Sequence, residues 1–180
     1  MNEVRAAYEK AATTPSDFFE HVPYVAQLVI ARDAKTVIEL GTRTGVSTAG
    51  WLFGLAQTGG HLWSVDLDPE PELGITSGWS FIQGDDLSPE VFGALPDADI
   101  VFIDTSHEYR HTLAELHLYR WKVRPGGLMV LHDTELARPL GTPRLPRFPV
   151  KTAIEQFCHD EGLSWSNRPN NFGLGVIEVS

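Results

Sequence analysis

Cysteine is nearly absent: Cys158 stands alone in 180 residues. One thiol excludes an internal disulfide framework and a Cys-based zinc site. Positive charge is also scarce, with 14 Lys and Arg against 24 Asp and Glu and a formal net charge of -10. That balance argues against a nucleic-acid backbone as the main partner, because such binding rests on basic side chains neutralising phosphates. No apolar run approaches the roughly 20 residues of a membrane helix. The N-terminus, MNEVRAAYEK, lacks the apolar core of a signal peptide. Internal repeats, low-complexity tracts and long linkers are missing too. These absences predict a cytoplasmic protein of one domain, 1–180, that faces small molecules rather than nucleic acid or membrane.

What is present is an alternation of strand and helix patterns. Thr14-Pro15-Ser16-Asp17 reads as a helix start, followed by Phe18, Val22, Val25, Leu28 and Val29 at helical spacing, with Pro23 as a kink. Thr36 to Leu40 is a short β-rich run. Gly45 to Gln57 reads as a helix in which Gly50 and Gly54 permit close packing on a sheet. Further strands are expected over 62–67, 79–83, 100–103 and 128–131, and helices over 108–123 and 150–159. Pro125-Gly126-Gly127 reads as a turn, and the C-terminal SWSNRPNNFGLGVIEV as two strands joined around 168–171. Uniformly apolar strands alternating with helices predict a doubly wound α/β fold with a mostly parallel sheet. The short final connection makes the last strand antiparallel.

In such folds ligands sit at the carboxyl ends of the strands. The first strand ends in Glu39-Leu40-Gly41-Thr42-Arg43-Thr44-Gly45, a turn suited to a close-lying ligand and a helix N-terminus. A nicotinamide fingerprint would need glycines where Arg43 and Val46 stand, so that cofactor is discounted. The second strand ends at Asp66, placed to accept from ribose hydroxyls. The third ends at Asp85-Asp86, where Asp85 faces a base and Asp86 reads as a cap for the helix after it. The fourth ends in Phe102-Ile103-Asp104-Thr105-Ser106-His107, with Ser106 as a helix cap. The fifth ends in Leu131-His132-Asp133-Thr134. Neighbouring parallel strands would bring Asp104 and Asp133 together. Close carboxylates repel unless a cation or shared proton compensates, and oxygen donors suit Mg²⁺ or a similar hard ion.

Taken in order, VIELGTRTGVST, SVDLD, FIDTSHEY and RPGGLMVLHDT resemble the class I S-adenosylmethionine-dependent methyltransferases over about residues 36–134. More narrowly they are similar to the small-molecule O-methyltransferases of sugar and antibiotic tailoring, distantly like catechol O-methyltransferase. The resemblance implies a seven-stranded sheet and a cofactor site of Glu39, Gly41, Thr42, Gly45, Ser47, Asp66 and Asp85. It implies Mg²⁺ or a similar divalent cation on Asp104 and Asp133. Thr134 stands where that branch has an Asn ligand, and His107 where it has a catalytic Lys. Asp104 and His107 are therefore the expected catalytic residues, with His132 as a second candidate. The implied acceptor is a small hydroxylated molecule. The loop 137–149, with Arg138, Arg144 and Arg147, is expected to form a lid that attracts an anionic one. The N-terminal helices, 1–35, offer a face for a second copy of the chain. Two other readings stay open: a metal-independent methyltransferase with His107 as base, and a non-catalytic domain that binds S-adenosylmethionine or a nucleotide.

Overall fold

The computed structural model describes residues 2–138 and 146–180. Seven strands form one sheet: β1 (Thr36–Leu40), β2 (His61–Asp66), β3 (Trp79–Gln83), β4 (Ala98–Ile103), β5 (Val123–His132), β6 (Trp165–Arg168) and β7 (Leu174–Glu178). Their spatial order is β3-β2-β1-β4-β5-β7-β6. β1 to β5 are mutually parallel, and β7 runs antiparallel between β5 and β6. The expected antiparallel last strand is there, one place in from the edge.

Side chains alternate between two cores, which is why the central strands carry no polar face. Val37, Ile100, Phe102, Leu128 and Val130 point to one side. There α1 (Asn2–Thr13), α2 (Val22–Ala31) and α3 (Val46–Thr58) cover the sheet. Ile38, Val101, Ile103, Met129 and Leu131 point to the other. That side is covered by α4 (Pro89–Ala94), α5 (Tyr109–Tyr119) and α6 (Pro149–Glu161). Among the described residues no helix is long and apolar enough to cross a membrane.

Several local expectations change. Pro23 does not kink a helix but begins one: it lies in the first turn of α2, where its missing N–H has no partner to lose. The stretch 14–18 is irregular, and the Ser16 hydroxyl accepts from the Phe18 N–H at 3.3 Å. Gly50 and Gly54 pack against α2 instead of the sheet. A Cβ at Gly54 would come within 2.7 Å of Val29 Cβ and 2.8 Å of the Ala26 carbonyl oxygen. Pro125-Gly126-Gly127 lies within β5 as an irregularity. Val123 pairs with Ala98, and the next pairing is Leu128 with Ile100. Ser88, not Asp86, caps α4, accepting from the Val91 N–H. Ser106 accepts from the Glu108 N–H at 3.3 Å two residues before the cap position of α5, which Glu108 occupies without a side-chain bond. Between β2 and β3 no helix forms.

Candidate active site

The carboxyl ends of β1, β2, β3 and β4 open into a cavity of about 450 Å³. Gly41, Thr42, Ser47, Asp66, Asp85, Asp104 and His107 all line it. Gly41 is needed for the backbone itself. Its φ is +88°, and a Cβ there would sit 2.0 Å from the Asp104 carbonyl oxygen, where the ends of β1 and β4 converge.

Asp66 organises the turn after β1. Its Oδ2 accepts from the Thr42 N–H at 2.6 Å, the Thr42 hydroxyl at 2.9 Å and the Arg43 N–H at 2.8 Å. Its Oδ1 accepts from the Asp68 N–H at 2.9 Å. Burial alone would raise its pKa, but these donors favour the anion and hold it below the usual carboxylate range. Arg43, with a positive φ of 44°, reaches across the cavity mouth to both oxygens of Asp17 at 2.7 Å.

Glu39 and Gly45 do not line the cavity. Glu39 lies fully buried beneath it, accepting from the hydroxyls of Ser47 (2.7 Å), Thr48 (2.9 Å) and Ser64 (2.6 Å). Burial outweighs those donors and pushes its carboxyl up to about 7. Gly45 precedes α3 in a left-handed conformation, packed on Leu73. Asp85 is exposed at the rim, and its Oδ1 accepts from the Leu87 N–H.

The ends of β4 and β5 meet as the sequence predicts. Ile103 is in register with Leu131, which sets Asp104 beside His132-Asp133. His107 Nε2 bridges the acids, 3.1 Å from Asp104 Oδ1 and 2.9 Å from Asp133 Oδ2. His132 Nδ1 is 3.4 Å from both Asp104 Oδ2 and Asp133 Oδ2. The other nitrogen of His132, Nε2, lies 3.1 Å from the Asn171 carbonyl oxygen, which can only accept. His132 Nε2 therefore carries a proton, and its Nδ1 faces two carboxylates that need a second one. Bonds to both acids raise His107 to about 10. Burial opposes protonation of His132, yet the same two acids raise it to about 10 as well. Burial likewise opposes ionisation of Asp104 and Asp133, but the two imidazoles lower both. His107 and Asp133 both hold left-handed backbone, with φ values of 55° and 62°.

Thr134 is not brought to this cluster by its hydroxyl. It is fully buried and donates to Asn167 Oδ1 at 2.7 Å, because the chain turns away after the left-handed Asp133. Of the loop 137–149, residues 139–145, including Arg144, lie outside the described residues. Arg138 pairs with Glu108 beside the His107 turn, and the Arg147 guanidinium sits 5.4 Å from the Phe148 ring centre. The sequence reading missed the N-terminal contribution. Asp17 and Phe18 line the cavity, and His21 shares the Asn171 carbonyl with His132 at 3.2 Å. No local pattern announces these contacts, since they depend on where α2 docks. It also missed Asp86-His111-Glu115, although His111 and Glu115 stand four apart on α5.

Comparison with known proteins agrees with this geometry. The model of the methyltransferase domain family matches residues 38–134. Among curated proteins none matches. An O-methyltransferase from Bacillus cereus, solved with S-adenosylhomocysteine, superposes with a TM-score of 0.71 at 15% identity over 100% of this chain and 91% of that one. The methyltransferase PaMTH1 of Podospora anserina, also bound to S-adenosylhomocysteine, gives 0.67 at 14% identity over 100% and 88%. MycE, a methyltransferase of the mycinamycin biosynthetic pathway solved with Mg and S-adenosylhomocysteine, gives 0.67 at 18% identity over 90% of this chain and 49% of that one. With more than half its length matched, and with this sheet order and strand-end geometry, the chain belongs to the methyltransferase domain family and is a class I S-adenosylmethionine-dependent methyltransferase.

Proposed function

We propose that residues 1–180 act as one domain that transfers a methyl group from S-adenosylmethionine to a hydroxyl of a small molecule, with a divalent cation held by Asp104, His107 and Asp133. The observation that carries this reading is the meeting of those three side chains at the cavity edge, with one donor atom from each within 4.8 Å of the others. Two carboxylates and an imidazole suit a divalent ion, and His107 takes the place in this proposed donor set that the sequence assigns to the Thr134 hydroxyl. MycE, of the same fold, was solved with Mg, while the imidazole in the set proposed here shifts the preference toward Mn²⁺ or Zn²⁺.

The cofactor reading rests on the cavity. Gly41 lets the backbone come close, and Thr42, Ser47, Asp66 and Asp85 present hydroxyls and carboxylates along it. Asp17, Asp66, Asp68, Asp85, Asp86 and Asp104 make the lining strongly negative, against Arg43 and two imidazoles. That field favours a cofactor carrying a sulfonium and an ammonium. It does not favour the anionic acceptor expected from loop 137–149, whose Arg138 is already paired with Glu108. A neutral or cationic hydroxyl compound fits better.

In the reaction the sulfur–methyl bond breaks as the oxygen–methyl bond forms, and the acceptor's proton leaves. Alignment of the two reactants in a closed site supplies several kcal/mol of barrier reduction. A bound cation would lower the pKa of a coordinated hydroxyl. With a cation bound His107 serves as a ligand and takes no proton; without one its Nε2, held by Asp104 and Asp133, is placed to take the proton once it is neutral. A metal-independent reaction with His107 as the sole base is the second reading, favoured by the imidazole already bridging both acids. Methyl-transfer assays on a panel of hydroxylated compounds separate them. The metal reading expects loss on chelation and at least about a 100-fold drop in Asp133→Ala. Full activity in chelator, with loss only in His107→Ala, would replace it by the second.

A further inference from the structure

A second cluster lies at the β3 end of the cavity. Asp86 follows β3, while His111 and Glu115 stand four residues apart on α5 and so share a face. His111 Nε2 is 3.2 Å from Asp86 Oδ1 and 3.6 Å from Glu115 Oε1. One donor atom from each lies within 4.8 Å of the other two. Asp86 is 8% exposed and Glu115 fully buried. The Thr105 hydroxyl donates to Glu115 Oε1 at 2.7 Å, and the Tyr119 hydroxyl donates to the Asp86 main-chain carbonyl at 2.7 Å. Glu115 Oε2 has no hydrogen-bond partner among the described residues. Two carboxylates buried side by side need a cation or a shared proton between them, and one imidazole reaches both.

We propose that Asp86, His111 and Glu115 form a second divalent-metal site, separate from the cluster at Asp104 and Asp133. Metal–ligand bonds of about 2.0–2.2 Å at tetrahedral angles set donor atoms roughly 3.3–3.6 Å apart. The observed 3.2 and 3.6 Å lie within about 0.1 Å of that range. One imidazole nitrogen with two carboxylates is a donor set for Zn²⁺ or Mn²⁺ in preference to Mg²⁺, which favours oxygen alone. Asp86 and His111 both line the cavity, so a coordination position faces it. The ion would clamp the loop after β3 to α5. Thr105, which binds Glu115, directly follows Asp104, so the clamp also fixes the chain leaving β4.

The test is to strip the full-length protein with chelator, titrate it with Zn²⁺ and with Mn²⁺, and count bound ions by native mass spectrometry. Two ions per chain are expected in the wild type. His111→Gln and Glu115→Gln should each hold one, and Asp133→Asn should hold the other. His111 is partly exposed, with 30% of its side chain accessible, so that variant tests the site even if the buried Glu115 change fails to fold. Co²⁺ absorption in Asp133→Asn should show a nitrogen-containing site that disappears when His111→Gln is added. A single ion lost in Asp133→Asn and retained in His111→Gln overturns the second site while leaving the proposed function intact. A single ion lost only in His111→Gln supports it while removing the metal part of that function.

Discussion

Glu39 and Asp66 sit near the ends of neighbouring parallel strands, and both are expected from the sequence to touch the cofactor. The fold treats them differently. Asp66 lies at the strand end, where backbone N–H groups of the turn after β1 converge on it and keep it ionised. Glu39 lies one residue before its strand ends, with its side chain in the layer between sheet and α3. Three hydroxyls reach it, but no backbone N–H does, and burial raises its pKa to about 7. Residue type is similar in the two places. Distance from the strand end decides whether an acid builds the turn or stiffens the floor below it.

The largest disruption of this arrangement is expected from Gly41→Ala, which strikes the wall the two regions share. A left-handed φ and a collision with the Asp104 carbonyl oxygen should cost on the order of 3 kcal/mol or more in urea denaturation.

Next comes Glu39→Gln, measured by urea denaturation between pH 5 and pH 8. An acid whose pKa is raised on folding contributes stability that is fully present below its unfolded value, 4.5, and lost as pH rises through about 7. The wild type should therefore lose about 2–3 kcal/mol from this group across that range. The Gln variant should lack that component. An unchanged slope would show that Glu39 is not buried as described.

Asp66→Asn should act in the opposite sense and more weakly. Its depressed pKa makes its contribution present above the unfolded value and lost only in acid, as pH falls through the folded value below 3.8. At neutral pH the variant should lose about 1–2 kcal/mol as hydrogen bonds to a charged acceptor weaken. Calorimetry should show S-adenosylmethionine bound several-fold less tightly. If affinity falls while stability holds, Asp66 contacts the cofactor directly rather than through the turn.

Much of the frame was legible because the signals are local. The apolar runs of β1, β4 and β5 and the glycines after β1 read correctly, since strand burial on both faces leaves a plain mark. The pairing of Asp104 with Asp133 was legible from the parallel rule and the Ile103–Leu131 register bears it out. The role of Pro23 is ambiguous in sequence, because a proline marks a helix start as readily as a kink, and only the irregular stretch before it decides. The direction of the Thr134 hydroxyl, toward Asn167, was not legible, because it depends on the positive φ of Asp133.

Sequence by itself determined the alternation of elements, the parallel sheet and the row of acids at its carboxyl edge, because period, turn residues and strand composition are properties of neighbours along the chain. Tertiary structure alone decided which acids meet an imidazole, which meet backbone N–H groups and which are sealed beneath hydroxyls. Those outcomes depend on register between strands and on where α2 and α5 dock. A shift of one residue there changes an acid's partner, and with it its charge.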